Sequence, residues 1–275
     1  MTSEAKVAGH YTRGTLENAI LAAVAREGKN PENLNASDLA AVDEFHVGGL
    51  EATQELAGQM DLRAGMRLLD VGSGIGGPAR FFATEHACHV TGIDLTEEFV
   101  QVANRLSRLV KLHHLVEFRR ASALDLPFDG RTFDRAYMIH VGMNIADKAG
   151  VFREVLRALK PDGHFMIFDF VRTADGPIRY PVPWALSEET SFVTAAKDYR
   201  DLLQGTGFQV VHERGRRAFA IEFLERTMER LAQGGPPALG LHLLMGDKTP
   251  LMLGNVLAMM REGLLEPVEL CAKAV

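Results

Sequence analysis

The chain has 275 residues, of which 47% are hydrophobic, enough for one α/β domain of ordinary size with modest additions. Its formal net charge is −6, its pI is about 5.9 and it has no dense lysine and arginine block, so we expect a small-molecule partner and no nucleic acid. Two cysteines are too few for a disulfide framework, and no stretch reaches the roughly 18 uninterrupted apolar residues of a membrane span, so we expect a cytoplasmic protein with no membrane partner.

Residues 1–60 precede the first predicted strand of the core and contain two predicted helices. Apolar residues recur at helical spacing over 16–26, and a second helix is predicted over 49–58. Between them, Asp43-Glu-Phe-His46-Val-Gly-Gly carries more reactive side chains than a linker requires. We therefore expect this N-terminal segment to cover the functional site.

The core, residues 61–215 and 264–275, begins with alternating strands and helices. The predicted strands are 67–71, 89–93, 116–120, 133–139 and 164–171, with helices ending at 86 and spanning 97–112 and 148–159. Alternation of this kind is typical of a doubly wound, mainly parallel sheet with helices on both faces. Ligands of such a sheet bind beyond the carboxyl ends of its strands.

After residue 171 the alternation breaks. The proline-rich stretch 172–194 is too long for an ordinary connection and is predicted to be a lid. A helix over 195–204 and a strand over 207–213 resume the core, and the segment 216–263 carries further helical patterns that we expect to cap the site. The alternating residues 267–273 are predicted to form an edge strand.

The most informative segment is the glycine turn, Gly72-Ser73-Gly74-Ile-Gly76-Gly77, which follows the first predicted strand. Such a turn brings the backbone and a helix N-terminus close to a ligand, and its spacing also fits the dinucleotide fingerprint. Asp70 precedes the turn and would repel a pyrophosphate, whereas it would attract the sulfonium and ammonium of S-adenosylmethionine. Asp94, at the end of the second strand, can accept from both ribose hydroxyls.

The run from about residue 68 to 170 resembles a class I S-adenosylmethionine-dependent methyltransferase. The glycine turn, Gly-Ile-Asp94-Leu-Thr and His140-Val-Gly-Met143-Asn144-Ile-Ala-Asp147 resemble in particular the sarcosine/dimethylglycine N-methyltransferase-like group. The resemblance implies a seven-stranded Rossmann-like sheet whose last two strands are antiparallel. It also implies S-adenosylmethionine as cofactor, bound by Asp70, Gly72, Ser73, Gly74, Gly76, Gly77, Asp94, Leu95, Ser122, Ala123 and His140.

The acceptor side has its own candidates. His140 and His46 are expected to position the acceptor or remove its proton, and Asn144 is a third catalytic candidate that is equally well explained as a helix cap. The predicted acceptor-binding residues are Tyr11, His46, Met143, Asn144 and Trp184. One departure concerns Ser122, because members of the resembled family usually carry an acid there that accepts from the adenine amine.

These observations predict methyl transfer to a small-molecule acceptor, with N-methylation of an amino acid or amine ahead of O- or C-methylation of a larger hydrophobic metabolite. An NAD-dependent oxidoreductase and a non-catalytic S-adenosylmethionine-binding protein are the alternatives from other classes. No metal site is predicted, because the histidines and cysteines lack ligand spacing. The sequence carries no signal of oligomeric state and leaves a homo-oligomer open.

Overall fold

A computed structural model describes residues 2–275, whose strands form a single seven-stranded sheet. The strands are β1 Arg67–Val71, β2 His89–Asp94, β3 Val116–Arg120, β4 Phe133–Ile139, β5 Leu159–Arg172, β6 Phe208–Gly215 and β7 Leu265–Ala274. They lie in the order β3-β2-β1-β4-β5-β7-β6. Strands β1 to β5 pair in parallel, and β7 pairs antiparallel with both β5 and β6. The predicted doubly wound, mainly parallel α/β sheet is confirmed.

The last strand, β7, is not the edge strand that its alternating sequence predicted. It lies between β5 and β6, so both of its backbone edges are paired. The alternation misleads because Glu269 is fully buried and accepts hydrogen bonds from Arg214 Nε at 2.8 Å and Arg216 Nη1 at 2.9 Å. A paired carboxylate inside the protein gives the same sequence pattern as a solvent-facing one.

Helices cover both faces of the sheet and the carboxyl ends of its strands. They are α1 Ser3–Tyr11, α2 Leu16–Arg26, α3 Ala40–Asp43, α4 Gly49–Gly58, α5 Gly77–His86, α6 Glu97–Leu109, α7 Lys148–Ala158, α8 Ala196–Thr206, α9 Arg217–Gly234, α10 His242–Met245 and α11 Thr249–Arg261. Helix α1 was not predicted, although Glu4, Val7 and Tyr11 have helical spacing. Its N-cap Thr2 accepts from the N–H of Ala5 at 3.2 Å.

The N-terminal helices are anchored on the outer face of α6. Leu16 and Ile20 of α2 belong to the same buried apolar cluster as Phe99, Val102 and Leu106 of α6. The Glu98 carboxylate of α6 also holds the start of α2, because it accepts hydrogen bonds from the backbone N–H groups of residues 13, 14 and 16. The connection between α1 and α2 is thereby fixed beside the carboxyl ends of β1 and β2.

A buried ion pair joins the N-terminal segment to the glycine turn. Arg80 of α5 is fully buried and donates from Nη2 to Asp43 Oδ2 at 2.8 Å and to the carbonyl of Ile75 at 2.7 Å. Its Nη1 donates to Ser107 Oγ at 3.1 Å. One guanidinium therefore fixes the end of α3, the glycine turn and helix α6 relative to one another.

Replacing Arg80 by Met should lower the free energy of unfolding by about 3 to 5 kcal/mol, because Asp43 would stay buried without its partner. Urea denaturation followed by circular dichroism measures the change. The control is Arg63→Met, whose pair with Asp61 is largely exposed and should contribute about 0 to 1 kcal/mol. Equal losses in the two variants would show that the Asp43–Arg80 pair does not hold the fold.

Candidate active site

A cavity of about 340 Å³ opens beyond the carboxyl ends of β1, β2 and β4. Its floor is formed by the glycine turn and by the residues that follow these strands. Its cover comes from α1, the segment around His46, the stretch around Trp184, and helices α9 to α11. The predicted N-terminal, lid and cap segments therefore all contribute to one cavity wall.

The glycine turn needs glycine for two different reasons. Gly72 has a φ of 78°, and a Cβ on it would overlap the side chain of Val141. Gly77 has no room either, because its Cβ would overlap the backbone of Asp43. Gly74 differs, since its φ is 53° and no heavy atom lies within 4 Å of a Cβ built there. The turn is thus packed on its protein side and open at Gly74, where a ligand can approach the backbone.

Two carboxylates stand at the ends of β1 and β2, Asp70 buried and Asp94 partly buried. Asp94 accepts from the N–H of Gly74 at 2.9 Å and from the N–H of Thr96 at 2.8 Å, while burial raises its pKa to about 6. Burial raises the pKa of Asp70 to about 8. A carboxylate with a raised pKa gains most from a cationic ligand, because the ligand's charge favours the ionised form.

The described lining of the cavity contains several acidic side chains and no cationic one. Asp70 Oδ2 and Ser73 Oγ are buried and make no hydrogen bond of good geometry within residues 2–275, although the neighbouring Tyr137 hydroxyl lowers the pKa of Asp70. Within the same range, no lysine or arginine lines the cavity. Its ionisable lining consists of two histidines and five acids, namely Glu4, Asp43, Asp70, Asp94 and Asp147. The site is therefore suited to a ligand with positive charge and hydrogen-bond donors.

His140 lies at the point where β4 ends, with an unusual backbone conformation. Its φ is 53°, and the turn is held by Asp169, whose carboxylate accepts from the N–H groups of Val141 at 2.9 Å and Gly142 at 3.0 Å. The ring stacks on Phe170 at 4.9 Å. Neither ring nitrogen has a partner among the described residues, and burial lowers the pKa of His140 well below its ordinary value. The neutral imidazole of His140 is therefore held against apolar side chains, and its two ring nitrogens provide one hydrogen-bond donor and one acceptor.

His46 reaches the same cavity from the N-terminal segment, its ring centroid 6.1 Å from that of His140. His46 Nε2 donates to the carbonyl of Gly49 at 3.0 Å and lies 3.1 Å from Thr53 Oγ1, which itself donates to Glu44 at 2.7 Å. A carbonyl can only accept, so Nε2 carries the proton and Nδ1 holds the lone pair. Burial lowers the pKa of His46 to about 4.

Asn144 and Tyr11 are engaged in holding the cavity closed. The Asn144 side-chain amide donates to the carbonyls of Trp184 at 2.7 Å and Thr190 at 2.9 Å, and its Oδ1 accepts from the Tyr11 hydroxyl at 3.0 Å. Asn144 is not the cap of the following helix, because Asp147 caps α7. Its catalytic role stays a prediction: both amide hydrogens are engaged, whereas Oδ1 keeps a second lone pair that could accept from a ligand. Asn144 ties α1 to the stretch around Trp184.

The other sequence candidates divide into those inside the cavity and those behind it. Leu95, Ala123, Met143 and Trp184 line it, and Trp184 stacks on Phe170 at 5.3 Å. Ser122, Gly76 and Gly77 are not among the lining residues. A Cβ on Gly76 would lie 2.5 Å from the ring of Phe118, so this glycine serves packing. The Ser122 hydroxyl donates to Glu4 of α1, a cavity-lining residue that the sequence did not reveal.

Among residues 2–275, no group of three or more histidine, cysteine or acidic side chains is placed to hold a metal ion. No helix in this range combines the length and apolar character that a membrane crossing requires.

Comparisons with known proteins find similarity to methyltransferases. Residues 69–167 match the family model described as a methyltransferase domain. Phosphoethanolamine N-methyltransferase 1 of Triticum aestivum is 32% identical over 182 residues, which are 66% of this chain and 36% of that protein. Glycine/sarcosine/dimethylglycine N-methyltransferase of Actinopolyspora halophila is 36% identical over 139 residues, 46% of this chain and 25% of that protein. The chain thus spans about a third or less of the length of these relatives.

A solved structure with the same fold covers the whole chain. Geranyl diphosphate C-methyltransferase from Streptomyces coelicolor A3(2) has a TM-score of 0.72 and 17% identity, and the likeness covers 100% of this chain and 98% of that one. At this identity the likeness concerns the fold alone. It agrees with the class I methyltransferase sheet described above.

We expect neither His46 nor His140 to gain a proton between pH 8 and pH 5.5, because burial holds the pKa of His46 at about 4 and that of His140 well below 6.5. NMR of ¹⁵N-histidine-labelled protein measures both titrations. The variants His46→Gln and His140→Gln assign the resonances by their loss. A midpoint above pH 6 for either ring would contradict the buried, neutral site.

Proposed function

We propose that this chain, whose residues 69–167 form a methyltransferase domain, transfers a methyl group from S-adenosylmethionine to a small apolar acceptor. The observation that carries the proposal is a set of four buried, unpartnered polar atoms in residues that line one cavity. They are Asp70 Oδ2, Ser73 Oγ, and both ring nitrogens of His140. Buried polar atoms without partners are costly, so a site that collects them is built for a polar ligand.

The residues present fit the cofactor. Gly74 leaves its backbone open, and Asp94 is held so that its carboxylate faces the turn, where it can accept from ribose hydroxyls. Asp70 offers a carboxylate for the ammonium group. Ser73, Leu95 and Ala123 complete this half of the cavity. Bound S-adenosylmethionine would supply an activated methyl group on a sulfonium leaving group.

The acceptor half of the cavity is apolar. Helices α9 to α11 and the residues before them supply Phe223, Leu224, Leu241, Met245, Leu253 and Val256 to its lining. An amino acid or a phosphorylated base would need a cation for its carboxylate or phosphate, and no lysine or arginine in residues 2–275 lines the cavity. We therefore favour O- or C-methylation of a hydrophobic metabolite over N-methylation of an amino acid. Nothing in the comparisons favours an oxidoreductase or a non-catalytic binding protein.

The protein's own contribution is to position the acceptor, exclude water and move one proton. The segments 1–60, 172–194 and 216–263 enclose the cavity, with Tyr11, Asn144 and Trp184 as its closing contacts. His140, neutral and in the cavity lining, would accept the proton of an acceptor hydroxyl or acidic carbon as the methyl bond forms. His46 Nδ1 is a second acceptor for that proton. The composition and reduced cysteines support a cytoplasmic setting.

Turnover with methyl-labelled S-adenosylmethionine against a metabolite extract tests the function. The label should appear in acceptors that partition into an organic solvent. Transfer confined to glycine, sarcosine or phosphoethanolamine would overturn the acceptor class. Failure of S-adenosylhomocysteine to bind in calorimetry would overturn the function itself.

Gly74→Ala should weaken S-adenosylhomocysteine binding at least about tenfold, or about 1.4 kcal/mol, because its methyl group would enter the cavity. The matched control is Gly28→Ala, whose φ of 76° and open surroundings impose the same backbone strain away from the cavity. Both variants should lose about 1 kcal/mol of stability. Equal affinities in the two variants would place the cofactor elsewhere.

Cofactor binding should release about one proton at pH 7, since Asp70 is mostly protonated in the empty site, where its pKa is about 8, and ionises beside a bound ammonium. Affinity should consequently rise with pH up to about pH 8. Calorimetry in buffers of different ionisation enthalpy counts the proton. Asp70→Asn should abolish most of this release, and wild-type binding without proton release would contradict the role of Asp70.

His140→Phe should lower turnover by roughly 10² to 10⁴-fold with little change in cofactor affinity, because the aromatic stack is kept while the proton acceptor is lost. Stopped assays with the identified acceptor and calorimetry with S-adenosylhomocysteine provide the two readings. Wild-type turnover in this variant would show that His140 lines the cavity without taking part in proton transfer.

A further inference from the structure

We propose that Glu4 of helix α1 recognises the exocyclic amino group of the cofactor's adenine. The proposal rests on the proposed function, because it needs S-adenosylmethionine in the cavity. It concerns the position where Ser122 departs from the acid usual in the resembled family. Glu4 supplies a carboxylate beside Ser122, but Glu4 belongs to the N-terminal helix α1 and not to the residues that follow β3.

The contact that carries the proposal joins α1 to the end of β3. The Ser122 hydroxyl donates to Glu4 Oε1, and Ser122 Oγ also accepts from the N–H of Leu124 at 3.0 Å. The serine is thus occupied by protein groups, and it is not among the lining residues of the cavity. Glu4 lines the cavity and is only partly buried. No lysine or arginine among residues 2–275 lines the cavity beside it.

The position of Glu4 relative to Asp94, the predicted ribose contact, determines which part of the cofactor Glu4 can contact. Asp94 ends β2, and β3 is its parallel neighbour in the sheet, with Asp94 in register with Arg120. Since the ammonium end of the cofactor would lie at Asp70 on β1, on one side of β2, a nucleoside whose ribose contacts Asp94 would extend its base to the other side, toward the residues that follow β3. Three of those residues, Ala121, Ala123 and Leu124, line the cavity with apolar groups, and Glu4 is the carboxylate that α1 contributes to the same cavity.

A carboxylate at this position discriminates between purines. It accepts a charge-assisted hydrogen bond from the 6-amino group of adenine but repels the 6-oxo group of hypoxanthine. The face of α1 that carries Glu4 also carries Val7 and Tyr11, both of which line the cavity. The hydroxyl of Tyr11 is bonded to Asn144 on the acceptor side. Helix α1 therefore carries both Glu4, which would recognise adenine, and Tyr11, which helps to close the cavity over the acceptor.

The test is calorimetric binding of S-adenosylhomocysteine and of its 6-oxo analogue, S-inosylhomocysteine. Wild type should prefer the adenine compound by about tenfold or more. Glu4→Gln should weaken S-adenosylhomocysteine binding about tenfold and remove the preference, because an amide can donate to the 6-oxo group. The double variant Glu4→Gln/Ser122→Asp should regain affinity and preference, since it restores a carboxylate beside the base.

A control variant distinguishes the loss of adenine recognition from a loosening of helix α1. Lys6→Gln breaks the exposed pair between α1 and Glu189 without touching the cavity, and it should keep both the affinity and the preference. If Glu4→Gln keeps the wild-type preference, or if Lys6→Gln loses as much as Glu4→Gln, the inference about Glu4 is overturned. If wild type binds neither compound, the proposed function has failed instead.

Discussion

The site depends first on the buried ion pair between Asp43 and Arg80. The two strands that carry Asp70 and Asp94 are fixed by the sheet, but the N-terminal segment has no strand to hold it. Besides the apolar contacts and Glu98 hydrogen bonds that anchor this segment on α6, Arg80 fixes it to the glycine turn, because it donates to Asp43 and to the carbonyl of Ile75 at once. A buried arginine tolerates little displacement of either partner. His46, three residues beyond Asp43, therefore reaches the cavity at a fixed distance from the turn.

The cavity combines two environments that suit the two halves of one reaction. The half beside β1 and β2 is acidic, with raised pKa values at Asp70 and Asp94, and suits a cationic cofactor. The half under α9 to α11 is apolar and suits an acceptor without charge. His140 lines the same cavity, and its strained backbone is held by Asp169. The relatives found by sequence act on different acceptors by their names, so the acceptor has to be inferred from this lining.

Much of the sheet could be predicted from sequence, because strand and helix periodicities alternate clearly from residue 67 onward. The cavity-lining residues Gly72, Gly74, Asp70, Asp94 and His140 could be predicted for the same reason, since each lies at or just beyond the carboxyl end of a strand. The sequence did not reveal Glu4 or the interior position of β7. Both depend on partners distant in the chain, Ser122 for Glu4 and Arg214 with Arg216 for Glu269. Asn144 shows the same limit, because its bonds to Tyr11, Trp184 and Thr190 arise only in the folded chain.

The central claim is that one cavity holds the cofactor on its acidic side and leaves His140 facing an apolar acceptor space. A crystal structure of the complex with S-adenosylhomocysteine tests it most directly. The account predicts the ribose on Asp94, the ammonium near Asp70, and a remaining space between His140 and α9 to α11. A ligand that fills the apolar space, or that lies outside this cavity, would contradict the account.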